Sequence, residues 1–201
     1  VLVGRTGSKL EATAAEVRAH GREAYPMACD LTDADAIERL VADVEREHSR
    51  LDVLVNNAGV LVSKRLEDTT TDELDAILKT NVRAPYILCR EALRLLRKSE
   101  AAEIVNICSV VAHTGYPLQS AYAASKHALL GMSESLSREV YGEGIRVHVI
   151  SPGGVLTEMI GEARPDLVGT PMIVPDDIAD AVEFFLTHRT DGVVDEIRLH
   201  R

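Results

Sequence analysis

Cysteine is scarce in this chain: Cys29, Cys89 and Cys108 are the only three, far apart and with no C-x-x-C pair. An odd, scattered set encodes neither a disulfide framework nor a zinc site, and it suits a reducing, cytosolic compartment. No stretch approaches the roughly 18 uninterrupted apolar residues of a membrane span, so no membrane partner is expected. Positive charge is also short. Lys and Arg number 22 against 32 Asp and Glu, a net charge of −10, and the cations are scattered rather than striped. That removes the electrostatic footprint of a nucleic-acid binder. His20, His48, His113, His127, His148, His188 and His200 are dispersed, and no His/Asp/Glu cluster has metal-ligand spacing, so no metal is expected. Repeats, low-complexity tracts and long linkers are missing too, which makes one domain the economical reading of 201 residues. The chain opens Val1-Leu2-Val3 with no Met and no charged leader, and a further segment upstream is expected.

What is present is a regular alternation. Short β-branched or aliphatic runs at 1–4, 23–28, 51–56, 103–108, 145–150 and 193–199 are separated by helical patterns. Such alternation predicts an α/β fold with a mostly parallel sheet, and the near-continuous aliphatics of the middle runs predict strands covered on both faces. After Thr32, the residues Ile37, Leu40, Val41 and Val44 follow one helix face. Thr70 with Glu73 forms a capping box opening a long helix through Leu74, Ile77 and Leu78 towards Leu96. Gly21 after His20 predicts a helix stop, and Pro175-Asp176-Asp177 a helix start. The stretch 152–175, with Gly153, Gly154, Gly161, Gly169, Pro165 and Pro171, shows little periodicity and is the expected mobile lid.

Tyr122 and Lys126 stand four apart in a helix-compatible stretch, on one face. An ammonium beside a phenol favours the phenolate, so the pair can supply an acid/base group near neutral pH. The same pair also fits a solvated helix face with a snorkelling lysine.

The run Leu51-Asp52-Val53-Leu54-Val55-Asn56-Asn57-Ala58-Gly59 resembles the strand and NNAG motif of the short-chain dehydrogenase/reductase family, and the likeness extends over essentially the whole length. Asn81 lies in the matching Thr80-Asn81-Val82 context, and Ser109 follows the strand Ile104-Val105-Asn106-Ile107-Cys108, thirteen residues before Tyr122. Tyr122 and Lys126 match the family's Y-x-x-x-K, and Ser151-Pro152-Gly153-Gly154-Val155-Leu156-Thr157 its P-G turn. The resemblance implies a Rossmann-like, doubly wound, three-layer α/β/α domain that interconverts a ketone or aldehyde and an alcohol by hydride transfer with a nicotinamide cofactor. A catalytically silent sensor or regulator on the same fold is the alternative. By position, Tyr122 becomes the general acid or base and Ser109 hydrogen-bonds the same substrate oxygen. Lys126 holds the cofactor ribose and lowers the Tyr122 pKa, and Asn81 belongs to a proton relay. Cofactor contacts carry over to Arg5, Asp30, Leu31, Asn57, Ala58, Gly59, Tyr122, Lys126, Pro152, Gly153, Val155 and Thr157.

NAD-preferring relatives place Asp where Gly4 stands here, and Arg5 beside it can fork onto a 2′-phosphate, so NADP(H) is favoured over NAD(H). Arg5 as a solvated loop charge is the other reading. His113, near the Ser109 strand end, is a candidate substrate contact. Val111, Tyr116, Leu118 and Leu156 with Met159, Ile160, Met172 and Ile173 offer a mostly apolar pocket for a small to medium hydrophobic ketone or β-hydroxy compound. The stretches 81–98 and 120–141 match helices that pair across subunits in the family, and a homo-oligomer, dimer or tetramer, is expected.

The family's glycine-rich first strand-helix unit is missing from the sequence. With a sheet order of 3-2-1-4-5-6-7, that strand belongs between 1–4 and 51–56, so a gap or a substitute strand is expected there. A native polypeptide longer by roughly 30 residues, the size of a strand-helix unit, follows from the same reasoning. The C-terminal run also lacks the Gly-Gly ending common among reductases of the family.

Overall fold

The computed structural model describes residues 1–167 and 169–201. Among these residues six strands form, each inside an expected run or extending it by a residue or two: β1 (Leu2–Gly4), β2 (Pro26–Ala28), β3 (Val53–Asn56), β4 (Glu103–Ile107), β5 (Arg146–Pro152) and β6 (Glu196–Leu199). All pairings are parallel, in two sheets ordered β1-β2 and β3-β4-β5-β6. Among the described residues no strand joins β1 to β3. A cavity of about 1270 Å³ lies there instead, lined by Val1, Leu2 and Val3 on one side and 53–56 on the other. The gap falls where it is expected.

Helices pack around the strands: α1 (Gly7–Ala19), α2 (Ala34–His48), α3 (Thr71–Leu78), α4 (Ala84–Leu96), α5 (Ser120–Val140), α6 (Glu158–Ala163) and α7 (Pro175–Thr187). Successive residues of a strand point to opposite faces, and β4 shows both faces buried. Ile104 packs with Ala92, Leu96 and Val140 of α4 and α5, while Val105 packs with Ala181 and Phe185 of α7. A buried polar ladder crosses the same layer: Asn56 Nδ2 donates to Asn106 Oδ1 at 2.8 Å, and Asn106 Nδ2 to Ser133 Oγ at 2.8 Å. It pins β3, β4 and α5 in register, because each of these groups would lose a bond if the strands slipped.

The capping box forms as expected: Glu73 N donates to Thr70 Oγ1 at 3.2 Å and Thr70 N to Glu73 Oε2 at 3.0 Å. The long helix it opens is interrupted, however. Residues Lys79–Arg83 form a π-helical turn between α3 and α4. Pro85 has no N–H to give the carbonyl of Asn81 four residues earlier, so the α-helical ladder breaks at that point. The second helix is capped by Asp33, its carboxylate accepting from Asp35 N at 2.9 Å and Ala36 N at 3.3 Å. Gly21 takes φ 73° after α1, the left-handed stop expected of it.

The stretch 152–175 carries more structure than its weak periodicity suggests. Thr157 caps α6, a 3₁₀ turn follows at Pro165–Leu167, and Val155 bridges Ile173 in parallel. Residue 168, within this stretch, lies outside the described residues.

Candidate active site

The carboxyl ends of β3, β4 and β5 and the first turns of α5 converge on one cavity of about 680 Å³. Side chains from all four meet there because parallel strands point their carboxyl ends the same way, and the loops leaving them share one crevice. Nine of the expected site residues line it: Asn57 and Gly59 after β3, Ser109 after β4, Tyr122 and Lys126 on α5, and Pro152, Gly153, Val155 and Thr157 at the end of β5 and beyond it.

Ser109 is extended at φ −173°, and its Oγ accepts from Val111 N at 3.3 Å and donates to the Pro152 carbonyl at 3.4 Å, so the hydroxyl is held between the turn that follows it and the end of β5. The Tyr122 phenol lies close enough to Ser109 for a hydrogen bond to favour ionisation, but burial outweighs it and pushes the phenol up to about 12. This departs from the expectation that Lys126 draws the phenol down. The ammonium sits 5.7 Å from the centre of the Tyr122 ring and is itself buried, and that burial lowers the Lys126 pKa. Among the described residues the only hydrogen-bond acceptor of Lys126 Nζ is the Ile107 carbonyl, at 2.8 Å. Two of its three donors remain for a ligand in the cavity.

Asn81 stands behind this wall, in the π turn, and is buried. Both hydrogens of its carboxamide are taken. Nδ2 donates to the Val60 carbonyl at 2.9 Å and to Ser125 Oγ at 3.0 Å, and Oδ1 accepts from Val60 N at 2.9 Å. Ser125 Oγ donates in turn to the Tyr122 carbonyl at 2.7 Å. The side chain thus rivets the loop after β3 to α5 and keeps one lone pair of Oδ1 open. Gly59 completes the floor: a methyl there would lie 3.5 Å from Asn81 Oδ1 and 3.8 Å from Lys126 Nζ, in the space the glycine leaves open between them. An open floor flanked by spare ammonium donors fits the hydroxyl-rich ribose of a nicotinamide cofactor.

The remaining expected contacts lie elsewhere. Ala58 and Leu31 line the inter-sheet cavity, and Leu31 also packs against the cluster of Ile37, Ala84 and Ile87. Arg5 and Asp30 line neither cavity and are exposed beyond the ends of β1 and β2. The Asp30 carboxylate accepts from Thr32 N at 2.9 Å and Thr32 Oγ1 at 2.8 Å, which holds its pKa down, with Arg5 a smaller contributor. At Gly4 a methyl would come within 3.3 Å of Leu10 Cδ2, so the small residue also serves the packing of α1 on β1. His113 does not line the Tyr122 cavity; its Nε2 meets Glu196 Oε1 at 2.6 Å. Of the expected apolar lining, Val111, Tyr116, Met159 and Ile160 are there, whereas Leu118, Leu156, Met172 and Ile173 are not. Sequence reasoning does not single out Ser125, Arg164, His200 or Arg201. Ser125 carries a signal nonetheless, being a small polar residue three after Tyr122 on the buried side of α5.

A protonated phenol and a hydroxyl aimed into one cleft can donate to a carbonyl oxygen, and the buried ammonium can hold polyol oxygens beside it. The chain matches the family model for short chain dehydrogenases over residues 1–168. It is 33% identical over 168 residues to a 3beta-hydroxysteroid dehydrogenase of Mediterraneibacter gnavus, covering 83% of this chain and 60% of that protein, so it spans less than two thirds of this relative. It is 31% identical over 169 residues to the 3-oxoacyl-[acyl-carrier-protein] reductase FabG of Staphylococcus aureus, covering 83% of this chain and 69% of that one. Among solved structures, a metagenomic short-chain oxidoreductase in complex with NADP superposes with a TM-score of 0.85 at 33% identity, over 100% of this chain and 85% of the other. The alcohol dehydrogenase of Thermococcus sibiricus complexed with 5-hydroxy-NADP gives 0.88 at 26% identity, over 98% and 83%.

Proposed function

The chain belongs to the short-chain dehydrogenase family, and from that premise we propose that it interconverts a ketone or aldehyde and the corresponding alcohol. The observation that carries this reading is the convergence of Ser109, Tyr122 and Lys126 on a single cavity. When bound, a reduced nicotinamide supplies the hydride. Tyr122 gives its proton to the carbonyl oxygen as that oxygen gains negative charge, and in the reverse direction takes the proton back. Ser109 hydrogen-bonds the same oxygen and holds it in line with the phenol. Lys126 offers its spare donors to ribose hydroxyls, with Asn57, Gly59, Pro152, Gly153, Val155 and Thr157 forming the rest of the cradle. Asn81 keeps α5 and the loop after β3 at fixed separation.

NADP(H) is the proposed cofactor. Support comes from the missing acid at Gly4, the exposed Arg5 beside Asp30, and the NADP carried by the metagenomic oxidoreductase. No helix among the described residues is long and apolar enough to cross a membrane. The three buried, free thiols fit a cytosolic setting. Association through α4 and α5, whose Tyr86 and Tyr141 ends are exposed, gives a homo-oligomer; a monomeric mass by light scattering at micromolar concentration contradicts it. The stretch 152–175 is the proposed lid over the cleft.

Mixing the protein with NADPH or NADH and a panel of ketones, while following the absorbance of the reduced cofactor, tests the function. Turnover separates an enzyme from a silent sensor, which binds the cofactor without consuming it.

A further inference from the structure

Which carbonyl compounds enter can be taken further, on the basis of the reaction just assigned. The chain holds 32 Asp and Glu and a net charge of −10, yet among the described residues lining the Tyr122 cavity there is no Asp or Glu. Its charged or titratable cations are Lys126, Arg164, His200 and Arg201. These four are not equivalent. Lys126 is buried beside Tyr122 and bonded to the Ile107 carbonyl. Arg164, which ends α6, is forked onto Asp166, Nε to Oδ1 at 2.8 Å and Nη2 to Oδ2 at 2.7 Å, so its charge is met. His200 is exposed, as is Arg201. Arg201 is held by neutral groups: Nη1 donates to Thr170 Oγ1 at 2.9 Å and to the Pro171 carbonyl at 3.3 Å. That anchorage fixes the guanidinium while leaving its charge and its other nitrogens available.

The position of Arg201 follows from the sheet. Gly153 N donates to the Leu199 carbonyl at 2.9 Å, so His200 and Arg201 run past the carboxyl edge of β6 at the level of the P-G turn. Met159, Ile160, Leu167, Ile178 and Val182 supply an apolar lining to the same cavity. A ligand that touches Tyr122, the apolar lining and Arg201 is matched to them by a carbonyl, a hydrocarbon part and an anionic group.

We propose that the preferred substrates are oxo acids, with the carbonyl at Ser109 and Tyr122, the methylenes against Met159, Ile160 and Ile178, and the carboxylate on Arg201. The carbonyl carbon gains the hydride from the reduced nicotinamide, its oxygen gains the Tyr122 proton, and the carboxylate leaves unchanged in the hydroxy-acid product. Arg201 is then a specificity residue outside the proton chemistry.

The test compares 4-oxopentanoate and 5-oxohexanoate with their methyl esters, in the wild-type protein and in Arg201→Ala. A charge-assisted hydrogen bond in a partly screened site predicts that the wild type prefers acid over ester by about tenfold or more in kcat/KM, carried mainly by KM. In Arg201→Ala that preference falls towards one. Equal turnover of acid and ester by the wild type overturns the inference, as does a preference that survives the substitution. A loss of NADPH affinity in Arg201→Ala with the acid preference intact also overturns it, and assigns the cation to the cofactor. If no ketone, charged or neutral, is reduced with either cofactor, the assigned reaction itself fails and the inference falls with it.

Discussion

Asn81 and Ser125 are joined by a 3.0 Å hydrogen bond in the interior, from the Asn81 carboxamide to a hydroxyl that is itself bonded to the Tyr122 carbonyl. The π turn, the loop after β3 and the turn of α5 that carries Tyr122 therefore share one polar junction. Ser125→Ala leaves an Asn81 hydrogen without a partner, and a buried unsatisfied donor costs about 1–3 kcal/mol. For a domain of this size that lowers Tm by roughly 2–4 °C per kcal/mol. Calorimetry checks it, and an unchanged melt contradicts the junction.

The Thr70 capping box holds the start of the helix that leads into the π turn. Thr70→Ala should lower stability by about 0.5–2 kcal/mol, the usual loss for an N-cap hydroxyl. Denaturant unfolding measures this. A loss well above that range would show that Thr70 does more than cap.

The Tyr122 phenol, raised to about 12, is protonated throughout the neutral range. Carbonyl reduction needs that proton in place, and alcohol oxidation needs it gone. Between about pH 7 and 10, oxidation should accelerate with pH while reduction does not rise. Initial rates in both directions check the sign, and an oxidation rate that is flat or falling over this range contradicts it.

Arg5 is exposed and near Asp30. If it meets the 2′-phosphate, Arg5→Ala weakens NADPH by up to the ~1.5–3 kcal/mol of a hydrogen bond to a charged group, less for solvent screening, and leaves NADH nearly unchanged. Titration with each cofactor reads this directly. Equal losses for the two show that Arg5 does not read the 2′-phosphate.

Much of this arrangement is legible in the chain itself, for reasons that differ by residue. The strands announce themselves because a strand buried on both faces must be aliphatic at nearly every position, as at Ile104, Val105, Val147 and Ile150. Tyr122 and Lys126 share a face by helical spacing alone, and Ser109 joins them only through the ordered motifs. The π turn is harder to see, since Pro85 signals a break without saying whether the chain kinks, stops or widens. Arg5, Asp30 and Leu31 carry over by position, yet a position in a motif does not report that Leu31 packs into the core or that Asp30 spends its carboxylate on Thr32. The hydrogen bonds of Asn81 and the pairing of His113 with Glu196 depend on residues far away in sequence, Val60 and Ser125 for one and β6 for the other.

If Tyr122 is the proton donor of a nicotinamide-dependent carbonyl reductase, removing its hydroxyl must cost turnover and little else. The most direct measurement is reduced-cofactor consumption with a turned-over ketone, in wild type and in Tyr122→Phe, alongside cofactor affinity. Turnover is expected to fall by at least the ~10²–10⁴-fold of a lost general acid while cofactor affinity hardly moves, because the substitution keeps the ring. A Tyr122→Phe protein that retains most of its activity contradicts the assignment.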